Sequence, residues 1–115
     1  MIPINGNLTA TVQKRQTVKN SIGEGITSWS DIGTVLGWLD YASGQNDTDK
    51  FKGKVQDTTH LFFCDYDKWL PGIRSEDCRL VIEGDVYNIL LIDDPMGMRQ
   101  HLEVYLKYIG GGLGV

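Results

Sequence analysis

Histidine and cysteine are the residue types in this sequence best suited to metal binding or nucleophilic catalysis. The chain has two of each, His60, His101, Cys64 and Cys78. His60 and Cys64 lie four positions apart in a run typical of a strand, which would separate them by about 13 Å. Zinc binds its ligands at about 2.0–2.3 Å, so two ligands of one ion lie within ~4 Å of each other. The sequence also has no Cys-x-x-Cys or His-x-x-x-His pair, so we predict no metal site.

The other residue patterns of enzymes are equally weak. The sequence has no Gly-x-Ser-x-Gly elbow and no phosphate-binding glycine loop. Paired carboxylates occur three times, at Asp47/Asp49, Asp65/Asp67 and Asp93/Asp94. Turns also favour aspartate at such places, and we interpret the pairs as turn residues. The sequence therefore predicts a protein that is not an enzyme and binds no cofactor.

The two cysteines point to a reducing compartment, where we interpret Cys64 and Cys78 as free thiols. A disulfide between them is the alternative. The first residues show no basic segment followed by an apolar one, and no apolar run approaches the ~20 residues of a membrane span. We therefore expect a cytoplasmic protein without a membrane partner.

One polar segment carries alternating cations. Lys50, Lys52 and Lys54 surround Phe51 in a stretch without apolar periodicity. Such a stripe can face phosphates, and the alternative is a solvated loop face. The segment near residues 45–56 is predicted to be a long loop or one short helix.

Strand patterns dominate the rest of the chain. Apolar and polar residues alternate, or β-branched and aromatic residues cluster, in the segments 8–15, 26–29, 33–39, 60–66, 79–83, 86–92 and 102–108. Gly84-Asp85 joins two of these segments as a tight hairpin turn. We predict an all-β fold, a small antiparallel β-barrel or sandwich with a long insertion near residues 45–56. The predicted core residues, subject to register, are Val81, Tyr87, Ile89, Leu91, Leu102, Val104 and Leu106.

Length and composition limit the architecture. A chain of 115 residues with 14 glycines predicts one domain with many turns. We place that domain at residues 1–109 and a flexible glycine-rich tail at 110–115. The net charge of −4 argues against a protein that coats nucleic acid through bulk charge.

The order of these segments resembles the head-closure, or head–tail joining, proteins of long-tailed bacteriophages. The resemblance covers residues 8 to 109. Its motifs are an opening Thr-Val-Gln-Lys-Arg strand at 11–15, a Gly-Ile-Thr-Ser-Trp segment at 25–29, a Tyr-Ala-Ser-Gly run at 41–44 before the insertion, and a Gly-Asp-Val-Tyr-Asn-Ile hairpin at 84–89. The closing Leu-Glu-Val-Tyr-Leu segment at 102–106 resembles the last strand of the family.

The resemblance implies a structural neck protein of the virion, assembled in the host cytoplasm. Such proteins form a homo-oligomeric ring under the portal or adaptor protein, extend and close the channel for packaged double-stranded DNA, and dock a tail-end protein. In some members the insertion projects into the channel as a stopper. Carried over to this chain, the candidate channel-facing residues are Gln45, Lys50, Phe51, Lys52, Lys54 and Gln56.

Two alternatives stay open from the sequence. One is another phage neck or tail-completion component with a similar small barrel. The other is a small β-barrel module that binds nucleic acid or protein. A nucleic-acid module should show aromatic side chains with basic neighbours on one sheet face.

Overall fold

Six antiparallel strands make up the protein in a computed structural model, which describes residues 3–42 and 57–111. The strands are β1 (Leu8–Lys19), β2 (Gly25–Tyr41), β3 (His60–Asp65), β4 (Cys78–Ile82), β5 (Asp85–Asp93) and β6 (His101–Gly111). The sheet closes into a ring in the order β1-β2-β3-β6-β5-β4. Two short 3₁₀ turns, Tyr66–Lys68 and Pro95–Gly97, lie in the connections. The predicted all-β class is confirmed.

The core fills the inside of the closed sheet, where alternate residues of each strand meet. Its fully buried side chains include Val12, Val35, Phe62, Leu80, Ile82, Val104 and Leu106. Burial of one such aliphatic or aromatic side chain contributes roughly 1.5–3 kcal/mol. The partly buried Trp69 and Leu70, from the connection after β3, pack against this cluster. That connection therefore helps to cover one end of the ring.

Two predicted core residues are not part of the core cluster. A register shift between Ile89 and Leu91 changes which side chains of β5 point inward, so that Ile92 rather than Leu91 packs against the core. In β4 the core residues are Leu80 and Ile82. Val81 is buried on the opposite face, beside its partner Val86. Because β4 and β5 contain continuous apolar runs, the sequence does not show which of their residues point into the core.

β1 and β2 are longer than the sequence patterns predict. The segments 26–29 and 33–39 belong to one strand, because a register shift opposite Val12 and Gln13 accommodates Ile32 without ending the pairing. β1 pairs with β4 only from Ala10 to Lys14. Beyond that, residues 15–29 form a two-stranded extension, here called the arm, whose strands pair with each other from Arg15 and Trp29 outward.

The strand directions give the ring two distinct ends. At the insertion end, β2 leads into the segment around residues 45–56, β3 and β5 begin, and β6 ends. At the arm end lie the arm and the connections from β3 to β4 and from β5 to β6. The arm and the insertion therefore leave the ring at opposite ends.

The hairpin between β4 and β5 turns one residue earlier than predicted. Ile82 pairs with Asp85, so that the two turn residues are Glu83 and Gly84 with φ of 52° and 83°. Two positive φ values in a two-residue loop define a type I′ turn, whose twist matches that of the strands. At the C-terminal end of the described chain, β6 runs through Gly111, two residues past the predicted domain boundary at 109.

Candidate interaction surfaces

The six predicted channel-facing residues lie outside the described residues. They are Gln45, Lys50, Phe51, Lys52, Lys54 and Gln56. The structure does describe where their segment departs and returns. The backbone N–H of Ala42 donates to the carbonyl of Thr59 over 3.0 Å. The insertion thus begins and ends at one point of the ring.

An aromatic cluster surrounds this root of the insertion. The His60 ring lies 4.8 Å from Tyr41 and 5.1 Å from Tyr87, between ring centroids. Tyr108 lies 5.5 Å from Tyr87 in an edge-on arrangement. These are the separations at which aromatic pairs attract beyond their buried area. Four strands therefore converge on the root through ring contacts.

Hydrogen bonds also fix the root of the insertion, and burial keeps its His60 and Tyr87 rings uncharged. The Thr59 hydroxyl accepts from the Tyr108 backbone N–H over 2.7 Å and lies 2.9 Å from His60 Nδ1. Burial lowers the pKa of His60, and the carboxylate of Asp85 opposes that shift. Burial also raises the pKa of Tyr87, with Asp85 adding to the effect. Near neutral pH, both rings are neutral and serve as packing groups.

Asp65 anchors the segment that precedes β1. Its side chain is 4% exposed and accepts two backbone N–H groups, from Ile4 over 2.6 Å and Asn5 over 2.8 Å. Trp38 adds a third link, because its indole N–H donates to the Ile4 carbonyl over 3.0 Å. The sequence interpretation of Asp65 as a turn residue is therefore incomplete, since its carboxylate fastens a distant segment to the ring.

The two thiols are structural. Cys64 and Cys78 are both free and buried, so that the predicted free state is confirmed. Burial, with Asp65 as a second cause, raises the pKa of Cys64 to about 12. Burial also raises the pKa of Cys78. A thiol that keeps its proton is a poor nucleophile and a poor metal ligand.

Within residues 3–42 and 57–111, no group of three histidine, cysteine or acidic side chains could hold a metal ion. His101 instead lies 3.2 Å from the Glu103 carboxylate, through Nε2. In the same ranges no helix is long and apolar enough to cross a membrane.

A polar network crosses the outer face of β2, β1 and β4. The Gln13 side chain donates to Asp31 and accepts from Arg79 Nε, each over 2.8 Å. The Arg79 guanidinium also lies 4.0 Å from the Trp29 ring centroid. Cation–π contact of this kind stabilises by about 0.5–1 kcal/mol at exposed sites. The network connects the base of the arm to the ring.

A band of apolar residues lies on the outer face of β2, β3, β6 and β5. Phe62 and Cys64 of β3 point into the core, so that Leu61 and Phe63 face outward. Register continues this face through the pairs Trp38–Phe63, Leu61–Tyr105 and Leu91–Tyr105. Leu36, two positions before Trp38 on β2, is exposed on the same face. The apolar band consists of Leu36, Trp38, Leu61, Phe63, Leu91 and Tyr105.

The apolar band has acidic neighbours. Asp40 pairs with Leu61, and Glu103 pairs with both Phe63 and Asp93. Leu36 and Trp38 are each 44% exposed. A module that binds nucleic acid places basic rather than acidic groups beside its aromatic side chains. This face is therefore better suited to a protein partner than to a phosphate backbone.

Sequence comparison supplies the decisive observation. The sequence profile of the phage head completion proteins matches residues 1–107. The chain belongs to that family. The predicted resemblance to head-closure proteins is confirmed, and with it a structural role in completing the phage head and an association with the virion.

The search of curated proteins gives no match. Among solved structures, this head completion protein is similar to the solution structure of protein SF1141 from Shigella flexneri 2a. The two are 18% identical with a TM-score of 0.70, over 94% of this chain and 96% of that chain. At this identity the similarity supports the fold alone.

Sequence reasoning found the family and missed the surfaces. The apolar band is assembled from four strands whose register the sequence does not state. The only local signal was the alternation in β3 and β6, where Leu61, Phe63 and Tyr105 occupy the face opposite the core. The aromatic cluster likewise requires residues 41, 60, 87 and 108 to meet.

Proposed function

We propose that several copies of this head completion protein form an oligomeric ring at the head–tail junction, beneath the portal or adaptor protein. The ring extends and closes the DNA channel after packaging, offers a docking surface to a tail-end protein, and catalyses no reaction. The observation that carries the proposal is the family match over residues 1–107. Packaged double-stranded DNA passes through the ring and is a transient partner.

The described residues support a division between a channel side and a partner side. The insertion that contains Lys50, Lys52 and Lys54 begins and ends beside the aromatic cluster. A few cations per copy neutralise few phosphates, so that binding stays weak and DNA can slide. The outer face bears the apolar band and its carboxylates, which fit protein partners.

The proposal is tested by deleting the gene from its phage. We expect heads that fill with DNA, lose it on storage, and fail to join tails, as counted by electron microscopy and by DNA protected from nuclease. The wild-type gene supplied in trans should restore tailed particles. Normal infectious virions from the deletion strain would refute the proposal.

A second experiment addresses the insertion. The triple change Lys50→Gln, Lys52→Gln, Lys54→Gln should lower the fraction of heads that retain DNA, because it removes the basic contacts to the channel contents. The matched control is the single change Lys68→Gln, which alters an exposed lysine at the arm end. Equal DNA retention in the triple variant and the control would refute the assignment of the insertion lysines to the channel.

A further inference from the structure

We infer that neighbouring copies of the chain assemble by placing the arm of one copy on the apolar band of the next. The inference rests on the proposed ring and names the two surfaces that build it. Four observations carry it: the exposure of the arm, the exposure of the band, their opposite charges, and their positions on different sides of the closed sheet.

The arm has no cover within the described residues. Every residue from Arg15 to Lys19 is exposed. Val18 pairs with Ile26 at its apolar centre, and these side chains are 48% and 45% exposed. Ile22 at the tip is 76% exposed. A two-stranded ribbon alone is marginally stable in water, so that its apolar groups gain most from a second surface.

The band supplies a surface of matching character. Trp38 pairs with Phe63, and Leu61, two positions along β3, belongs to the row that continues through Tyr105 to Leu91. Leu36 and Trp38 are exposed, and the other four members of the band are partly exposed. A contiguous exposed apolar patch rimmed by polar groups is typical of a protein–protein contact. The aromatic members Trp38, Phe63 and Tyr105 are of the residue types enriched at the centre of such contacts.

The two surfaces are also complementary in charge. The arm, residues 15–29, carries two cations, Arg15 and Lys19, and one carboxylate, Glu24. At its base, Lys14 lies near the Asp77 carboxylate, and Asp31 accepts from Gln13. The band is flanked by Asp40, Asp93 and Glu103, and among the described residues of this outer face Lys107 is the one lysine or arginine. A basic arm and an acidic border attract each other and fix the orientation of the contact.

Position makes the contact repeatable. The arm belongs to β1 and β2, whereas the band centres on β3 and β6, and β6 lies opposite β1 in the ring of strands. One copy can therefore donate its arm and accept an arm at the same time. Contacts of this head-to-tail kind join copies into closed rings when the rotation between them closes.

Cross-linking between two variants tests the contact. Ile22→Cys places a thiol at the arm tip, and Leu36→Cys or Leu91→Cys places one at either edge of the band. The native Cys64 and Cys78 are buried, so that wild-type protein gives the background. The deletion phage is complemented with a mixture of an arm variant and a band variant, and its particles are treated with a short bismaleimide.

We expect covalent dimers in tailed particles that contain both variants and none above background in particles with either variant alone. Dimers from Ile22→Cys alone would mean that arms meet arms, and would overturn the inference. Tailed particles that contain both variants but give no dimers with either band position would also overturn it.

A charge exchange gives an independent measurement. Lys19→Glu should reduce the yield of infectious particles by about tenfold or more if the contact weakens by ~1.4 kcal/mol, and Glu103→Lys in the same chain should restore it. Lys68→Glu is the control, since it makes the same change of charge at an exposed lysine that is not part of the arm. No rescue by Glu103→Lys or Asp93→Lys would contradict the pairing of these surfaces.

The failures of the two proposals are distinguishable. If the deletion strain yields normal virions, the proposed neck function is wrong whatever the cross-links show. If tailed particles require the protein but arm and band do not cross-link, the neck function stands and only the docking of the arm on the band is refuted.

Discussion

Asp65 shows how one buried carboxylate can define the path of a segment far from it in sequence. Its two oxygens accept the backbone N–H groups of Ile4 and Asn5. In Asp65→Asn the amide nitrogen would face one of these donors. We expect a loss of about 1–3 kcal/mol in the free energy of unfolding, the cost of leaving a buried group unsatisfied. Urea denaturation measures it.

Asp67→Asn is the control for this change, because Asp67 is exposed and two residues away. It should alter stability by less than about 0.5 kcal/mol. Equal effects of the two variants would show that Asp65 contributes no more than a surface carboxylate.

His60 gives the protein a pH dependence of known sign. Its pKa in the folded state is lowered by burial among the tyrosines. The unfolded state therefore binds a proton at a higher pH than the folded state does. The contribution of His60 is fully present above the unfolded pKa and is lost as pH falls through the folded pKa. An NMR titration of its ring should show a midpoint below the reference value of about 6.5.

The variant His60→Phe should flatten that part of the stability profile, as measured by thermal unfolding at a series of pH values below 7. His101→Phe serves as the comparison, because it removes the other histidine and leaves His60 in place. An unchanged slope in His60→Phe would assign the acid sensitivity to other groups.

Both cysteines should be unreactive toward thiol reagents in the native protein. At pH 8 the thiol of Cys64, with a pKa raised to about 12, is almost entirely protonated, and Cys78 is 4% exposed. We expect no reaction with an aromatic disulfide reagent until denaturant is added. Both thiols should then react. Rapid reaction of either one in native buffer would contradict its burial.

At the scale of single elements, the β4–β5 turn contains one residue with an unfavourable backbone conformation that a substitution can relieve. Glu83 adopts φ of 52°, a conformation that asparagine tolerates better than glutamate. Glu83→Asn creates the Asn-Gly pair favoured in type I′ turns. We expect stabilisation by about 0.5–1 kcal/mol, seen as a rise of roughly 2–6 °C in Tm by circular dichroism.

Gly84→Ala is the opposite control. A Cβ at Gly84 meets no atom within 4 Å, but φ is +83°, so that any loss of stability comes from the backbone alone. If Glu83→Asn lowers the Tm while Gly84→Ala leaves it unchanged, the turn is not of the type described.

Elements also show which parts of the fold a sequence can predict. The alternating parts of β1 and β6 were placed correctly because the period of two is a local property, although both strands run further than predicted. The phase of β5 was wrong beyond Ile89, since a register shift depends on the partner strand. The full length of β2 was missed for the same reason, because Ile32 interrupts the alternation without interrupting the pairing.

The whole molecule separates a core that folds from an arm that extends. Replacement of residues 16–28 by Asn-Gly would close β1 and β2 with a two-residue turn after the Arg15–Trp29 pair. All core residues and the Arg79–Trp29 contact are retained. We expect a folded protein whose Tm lies within a few degrees of that of the wild type, measured by Trp fluorescence and circular dichroism.

Its control is the replacement of Ile22 alone by Ser, which keeps the length of the arm. Loss of a cooperative unfolding transition in the shortened protein, but not in Ile22→Ser, would show that the arm is part of the folding unit.

At this scale the sequence predicted the family and the class of fold, but not the surfaces. The −4 charge and the family motifs are read from the chain directly. The apolar band and the aromatic cluster combine residues from strands that are neighbours only after the sheet closes. The predicted channel-facing residues lie outside the described residues and remain predictions; they are Gln45, Lys50, Phe51, Lys52, Lys54 and Gln56.

The departure of the insertion from two adjacent strands has a mechanical consequence. In the proposed neck ring, a pull on the insertion would load β2 and β3 in the same direction, along their lengths. β2 would transmit that load to β1 and β3 would transmit it to β6, through rows of hydrogen bonds perpendicular to the pull. Such bonds share a shearing load and fail together rather than one after another. The longest strand pairing of the sheet, between β1 and β2, would carry that load away from the insertion and into the arm.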